Sequence, residues 1–195
     1  MKPSFEAALE AALRGGARFI QLREKDLSPR EVLDLAFRAQ RLCEKYNAKL
    51  VINSRTDIAR AAHADGVHLP ENDVPPAAAR LSLGHHALCG VSVHSVEVAR
   101  RAVRENADYL VFGPVFQTTS HPDTAPVGLE ALHEIATAVS IPVFAVGGIN
   151  ARSSGLCLDA GAYGVAVISA VWRPVNVVEA VCSFTGGESS LVTRQ

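Results

Sequence analysis

The chain alternates between short, almost wholly apolar runs and longer stretches in which apolar residues return every three or four positions. The runs fall near 18–23, 49–53, 65–69, 87–92, 108–113, 141–147 and 163–169. Continuous rather than alternating apolarity marks a strand covered on both faces, as in a parallel sheet. Between the runs, segment 29–45 puts Val32, Leu35, Ala36, Ala39 and Leu42 on one helical face. Segments 95–105 and 128–139 read the same way. So does 4–14, with Ala7, Ala8, Ala11, Ala12 and Leu13 on its inner face. Ser28, Pro29 and Glu31 supply an N-cap, a proline at the first helical position and a capping-box partner. Small residues precede most runs: Gly16-Ala17, Asn47-Ala48, Ala64-Asp65, Asn106-Ala107 and Gly161-Ala162. Gly or Asn there suits the left-handed residue that closes a helix.

Strands alternating with helices predict a parallel sheet, and nearly eight repeats favour closure, so the fold class is α/β, a (β/α)8 TIM-type barrel. The first helix has no strand before it, and the barrel is expected to lack its first strand. A gap, or a substitute strand, should lie beside 18–23. An unfilled gap would expose strand edges and favour a homo-oligomer. Residues 1–185 read as a single barrel domain and 186–195 as a flexible tail.

Composition narrows the function classes. At 195 residues, 48% hydrophobic and 20% charged, the chain has an ordinary globular balance. A net charge of −1 gives no footprint for nucleic acid or an anionic membrane surface. No apolar run approaches the ~18 residues of a membrane span, and the first residues lack a signal-peptide core. Cytoplasmic location and small-molecule partners are the expectation. Cys43, Cys89, Cys157 and Cys182 form no C-x-x-C pair, which suggests buried free thiols rather than disulfides or zinc.

Candidate chemistry sits at the carboxyl ends of the strands, the active face of such barrels. Gly147 and Gly148 close one apolar run and Ser169 closes the next. Bare backbone at two neighbouring strand ends makes an anion site, although glycines there also serve simply to turn the chain. Alternation points Gln21, Arg23 and Lys25 to one side, an amide and two cations suited to a pyrophosphate. Asp73 follows the 65–69 strand and could hold Mg²⁺. The 113–128 loop is hydroxyl-rich and proline-stiffened, as a substrate cover would be, and carries His121 beside Thr118, Thr119 and Ser120.

These segments together resemble the thiamine-phosphate synthase and TenI family over roughly residues 5–180. The motifs are Gln-Leu-Arg-Glu-Lys at 21–25, Ile-Asn-x-Arg at 52–55, Gly-Val-His-Leu at 66–69 with Asp73, and Gly-x-Ser at 90–92. Gly-Pro-Val-Phe-x-Thr at 113–118, Val-Gly-Gly-Ile at 146–149 and Val-Ala-Val-Ile-Ser at 165–169 complete the set. The resemblance implies an enzyme joining a hydroxymethylpyrimidine pyrophosphate to a thiazole phosphate, with release of pyrophosphate. Gln21, Arg23, Lys25, Asn53 and Ser92 would hold the pyrimidine substrate. Thr118, Ser120, Gly148, Ile168 and Ser169 would hold the thiazole phosphate, and Asp73 a weakly bound Mg²⁺. Arg23, Lys25 and His121 would act on the leaving group. Two alternatives stay open: a metal-free TenI-like tautomerase with His121 or His68 as base, and a non-catalytic phosphate-binding barrel. The chain departs from the family pattern at Ser54, where an Asp is usual, at His121 in place of Lys, and at Pro70-Glu71 in place of Gly-Gln.

Overall fold

The computed structural model describes residues 4–118, 124–173, 175–184 and 190–194. The chain opens with helix α1 (Phe5–Arg14) and then alternates: β1 (Phe19–Leu22), α2 (Pro29–Lys45), β2 (Lys49–Asn53), α3 (Thr56–Ala61), β3 (Gly66–Leu69) and α4 (Pro76–Leu83). It continues with β4 (Leu88–Val93), α5 (Val96–Arg104), β5 (Tyr109–Phe112), α6 (Gly128–Ala138), β6 (Val143–Val146), α7 (Ala151–Asp159) and β7 (Gly164–Val167). A short α8 (Ser169–Trp172), α9 (Val177–Cys182) and β8 (Ser190–Arg194) follow. Every neighbouring pair of strands is parallel, and the sheet closes in the order β1 to β8.

The expected barrel is present, and its amino-terminal strand position is taken by a substitute from elsewhere in the chain. That substitute comes from the 186–195 segment, which the sequence reading leaves outside the domain as a tail. Ser190–Arg194 pairs with β1 on one side, Phe19 opposite Leu191, and with β7 on the other, Val165 opposite Ser190. The physical reason is edge satisfaction: without β8, the N–H and C=O groups of β1 and β7 that face each other would have no strand partner. The gap is therefore filled from within the chain.

Local signals account for the helices. Ser28 Oγ accepts from the Glu31 backbone N–H while the Glu31 carboxylate accepts from the Ser28 N–H, the expected capping box. Gly16, Asn47, Asn106 and Gly161 all adopt the left-handed backbone where their helices end. His63 does so as well (φ 54°), where the sequence offers neither Gly nor Asn. Two aspartates tie the lower strand ends together: Asp65 accepts the Leu50 N–H at 2.9 Å and Asp108 the Cys89 N–H at 2.6 Å.

Strand alternation divides the core in two. Ile20, Leu22, Leu50, Ile52, Val67, Leu69, Leu110 and Phe112 face the helices in the larger cluster. Tyr109, Val111, Phe144 and Ala166, with Phe19 and Val146, form a separate cluster inside the barrel. Cys43, Cys89 and Cys157 are buried free thiols and Cys182 is exposed. Burial pushes the Cys43 thiol up to about 12, so it stays protonated and inert. Among the described residues no helix is long and apolar enough to cross a membrane.

Candidate active site

At the carboxyl ends of the strands a cavity of about 300 Å³ opens. Residues singled out from the sequence line it: Gln21, Arg23, Asn53, His68, Ser92, Thr118, Gly147, Gly148, Ile168 and Ser169. Period-2 geometry explains the gathering, because Gln21 on β1 and Arg23 just past its end project to one side, as do Gly90 and Ser92 on β4. Gln21 donates from Nε2 to Asn53 Oδ1 at 3.1 Å, and Asn53 donates from Nδ2 to Ser54 Oγ at 3.2 Å. This amide row fixes the β1–β2 wall. Arg23 is half-buried beside it, and burial pulls its pKa below the ordinary value. A guanidinium keeps its charge there nonetheless, and a partly desolvated cation at a cavity wall suits an anionic ligand.

His68 is one of two buried polar side chains among the described residues, the other being Gln21. Its Nδ1 lies 3.3 Å from the Tyr109 hydroxyl and its Nε2 2.8 Å from Ser92 Oγ. Burial, and secondarily the Arg23 charge, depress its pKa to about 4, so the ring is neutral at physiological pH. With both nitrogens engaged, His68 is poorly placed as the free base that a tautomerase would need.

The opposite wall is built by the β6 and β7 ends and the loop after β5. Gly147 and Gly148 both have positive φ, 95° and 65°. A Cβ on Gly148 would lie 2.3 Å from the Gln117 carbonyl oxygen, and one on Gly147 2.5 Å from Pro114 Cβ. The glycines are thus needed first to let the 113–118 loop close onto β6, and only secondly to bare backbone toward a ligand. Ile168 and Ser169 do not end the strand as the sequence suggests: Ile168 caps α8 and Ser169 begins it. The turn still leaves both on the cavity wall.

Two of the expected site residues, Lys25 and Asp73, stand apart from this lining. Lys25 is exposed on the loop following β1. Ser120 and His121 fall outside the described residues. Asp73 is half-buried in a neighbouring groove with Glu71 and Arg101, and its Oδ1 accepts the Val74 N–H at 2.8 Å. Among the described residues there is no group of three or more His, Cys, Asp or Glu that could hold a metal ion. A donor set of one carboxylate fits Mg²⁺ only where substrate phosphate oxygens and water complete the shell. Sequence reading missed His94, which lines the cavity mouth and contacts Glu71 Oε2 from Nδ1 at 2.6 Å. The signal was available: His94 follows β4 directly and continues the alternation of 90 and 92.

Comparison with known proteins agrees with this geometry. A family model described as thiamine monophosphate synthase matches residues 2–171. The putative thiamine-phosphate synthase 2 of Aquifex aeolicus is 46% identical over 166 residues, covering 85% of this chain and 89% of that one. The thiamine-phosphate synthase of Chloroflexus aurantiacus is 46% identical over 178 residues, 91% of this chain and 82% of its own. Among solved structures, thiamine phosphate pyrophosphorylase from Pyrococcus furiosus superposes with a TM-score of 0.86 at 37% identity, over 94% of this chain and 88% of that one. A 3-hexulose-6-phosphate synthase, at 18% identity and a TM-score of 0.71, shares the fold alone. With a family model matched over most of its length and relatives this similar, the chain belongs to the thiamine monophosphate synthase family.

Proposed function

We propose that the chain is a transferase that joins a hydroxymethylpyrimidine pyrophosphate to a thiazole phosphate and releases pyrophosphate, forming thiamine phosphate. The observation that carries this reading is a single cavity with polar groups on two walls: the side chains of Gln21, Arg23, Asn53 and Ser92 on one, and Thr118, Ser169 and the backbone at Gly148 and Ile168 on the other. A one-substrate site would need only one of them.

The chemistry asks for positioning rather than a protein nucleophile. The bond between the pyrimidine methylene carbon and the pyrophosphate oxygen breaks, and pyrophosphate leaves with the electron pair. The thiazole nitrogen donates its lone pair to the carbon and forms the new C–N bond. Arg23, with Lys25 brought in from its loop, stabilises the charge growing on the leaving group, and the Gln21–Asn53 row holds the pyrimidine half. Ser120, Thr118 and the backbone at Gly148 and Ser169 fix the thiazole phosphate, so the nitrogen starts within attacking distance. Mg²⁺, when bound, neutralises pyrophosphate charge. Asp73 is the residue that would hold it.

The test is incubation of the protein with both phosphorylated substrates, with and without Mg²⁺, and chromatography for thiamine phosphate and pyrophosphate. Equimolar, Mg²⁺-dependent formation of both is expected. Failure to form thiamine phosphate at saturating substrates and Mg²⁺ would overturn the reading.

A further inference from the structure

We propose that Tyr109, acting through His68, is a positioning residue that fixes the Ser92 hydroxyl as a hydrogen-bond donor aimed into the cavity. Three buried or half-buried groups form a chain. Tyr109 is 4% exposed and His68 3%. The phenol has one proton to donate, and among the described residues its hydrogen-bonding partner is His68 Nδ1, 3.3 Å away. Donation there makes Nδ1 the acceptor and places the ring proton on Nε2. The Nε2–H then donates to Ser92 Oγ at 2.8 Å. Ser92 Oγ accepts that bond with one of its two lone pairs, so its own proton cannot point back at the ring and turns toward the cavity it lines. The reverse order would leave the proton of a buried phenol without a partner among the described residues, which is costly.

The packing holds this order in place. Gly90 is the register partner of Tyr109 across β4 and β5. A Cβ on Gly90 would lie 2.0 Å from Tyr109 Cζ and 2.4 Å from its hydroxyl oxygen. The glycine of the Gly-x-Ser motif therefore makes room for the phenol, while the serine two residues on receives its effect. Phe19 and Phe144 meet the Tyr109 ring edge-on, with centroids 5.1 and 5.7 Å away, and prevent it from swinging out. Burial, and secondarily the charge of Arg23 at the end of β1, keep the ring neutral, so a single tautomer must be chosen.

The turnover part of the proposal rests on the synthase reading, whereas the tautomer part does not. Nitrogen-15 NMR of histidine-labelled native protein at pH 6 should show His68 neutral with its proton on Nε2. In Tyr109→Phe, which keeps the ring and removes only the hydroxyl, the two tautomers should mix. Synthase kcat should then fall about tenfold, since a misaimed donor is lost to the transition state. The KM for the thiazole phosphate, bound on the far wall, should change by less than about twofold. A native Nδ1–H tautomer, or an unchanged tautomer in Tyr109→Phe, overturns the proposal. A shifted tautomer with unchanged kcat overturns the role assigned to Ser92. If the native protein makes no thiamine phosphate, the synthase reading fails, and the NMR result alone decides the positioning.

Discussion

Acidification from pH 7 toward pH 5 should destabilise this protein through His68. In the folded chain His68 is fully enclosed and its pKa is about 4; once unfolded it returns to about 6.5. Between these values the unfolded chain binds a proton that the folded chain refuses, so stability rises with pH there and falls on acidification. The His68 contribution is whole above pH 6.5 and is lost progressively as pH drops toward 4. Each pKa unit corresponds to ~1.4 kcal/mol, so the full loss is roughly 3 kcal/mol, of which about 2 kcal/mol has gone by pH 5. Urea denaturation at pH 7, 6 and 5 of the native protein and of His68→Gln measures it. The depressed carboxylates of Glu6, Glu10, Glu31 and Asp57 are common to both proteins and cancel in the comparison. The native protein should lose about 2 kcal/mol more than the variant between pH 7 and pH 5. Parallel stability curves would refute the reasoning.

Other expectations follow from the same geometry. Gly90→Ala should cost about 1–3 kcal/mol by urea denaturation, because the new methyl collides with a ring that cannot move; a cost near zero would mean the Tyr109 ring is not wedged. Gly148→Val should weaken thiazole-phosphate binding in calorimetry and lower stability by roughly 1–3 kcal/mol, since φ is 65° and Gln117 lies against the new side chain. Unchanged affinity would remove Gly148 from the phosphate wall. Ser54→Asp should reduce the Mg²⁺ concentration needed for half-maximal synthase activity. Aspartate adds a hard oxygen ligand and tolerates the φ of 60° found at Ser54. Asp73→Asn should raise that requirement, and activity indifferent to Asp73→Asn would mean the metal is held elsewhere. Deleting 186–195 should expose the β1 and β7 edges and drive self-association in sedimentation; an unchanged oligomeric state would argue against β8 as the closing strand.

How far the sequence could be read depended on how local each signal was. Pro29–Lys45 was legible to its ends because the capping box, the N1 proline and the apolar stripe all lie within it. The cavity wall at Gln21 and Arg23 was legible for the same reason, since alternation along one strand fixes its direction. Ser190–Arg194 was not, because a five-residue strand after Gly-Gly gains its meaning only from partners on β1 and β7. Ser169 was misread because an apolar run that turns straight into a helix carries no break to mark the change. Tyr109 looked like one more apolar strand residue. Only the cross-strand register with Gly90 and the contact to His68 reveal its hydroxyl as part of the polar network.

Closing the barrel with β8 also imposes a timetable. During synthesis β1 emerges early, whereas the strand that covers one of its edges lies roughly 170 residues downstream, a delay on the order of ten to thirty seconds at ribosomal rates. Through that interval β1 has β2 on one side and an unanswered row of N–H and C=O groups on the other. The α1–α2 pair can already shield its outer face, since Arg38 reaches Glu6 at 2.6 Å and Lys45 reaches Glu10 at 2.7 Å. The nascent chain thus carries a curved, growing sheet whose oldest edge stays open until residues 190–194 leave the ribosome, and that edge is where chaperone demand and co-translational misassembly should concentrate.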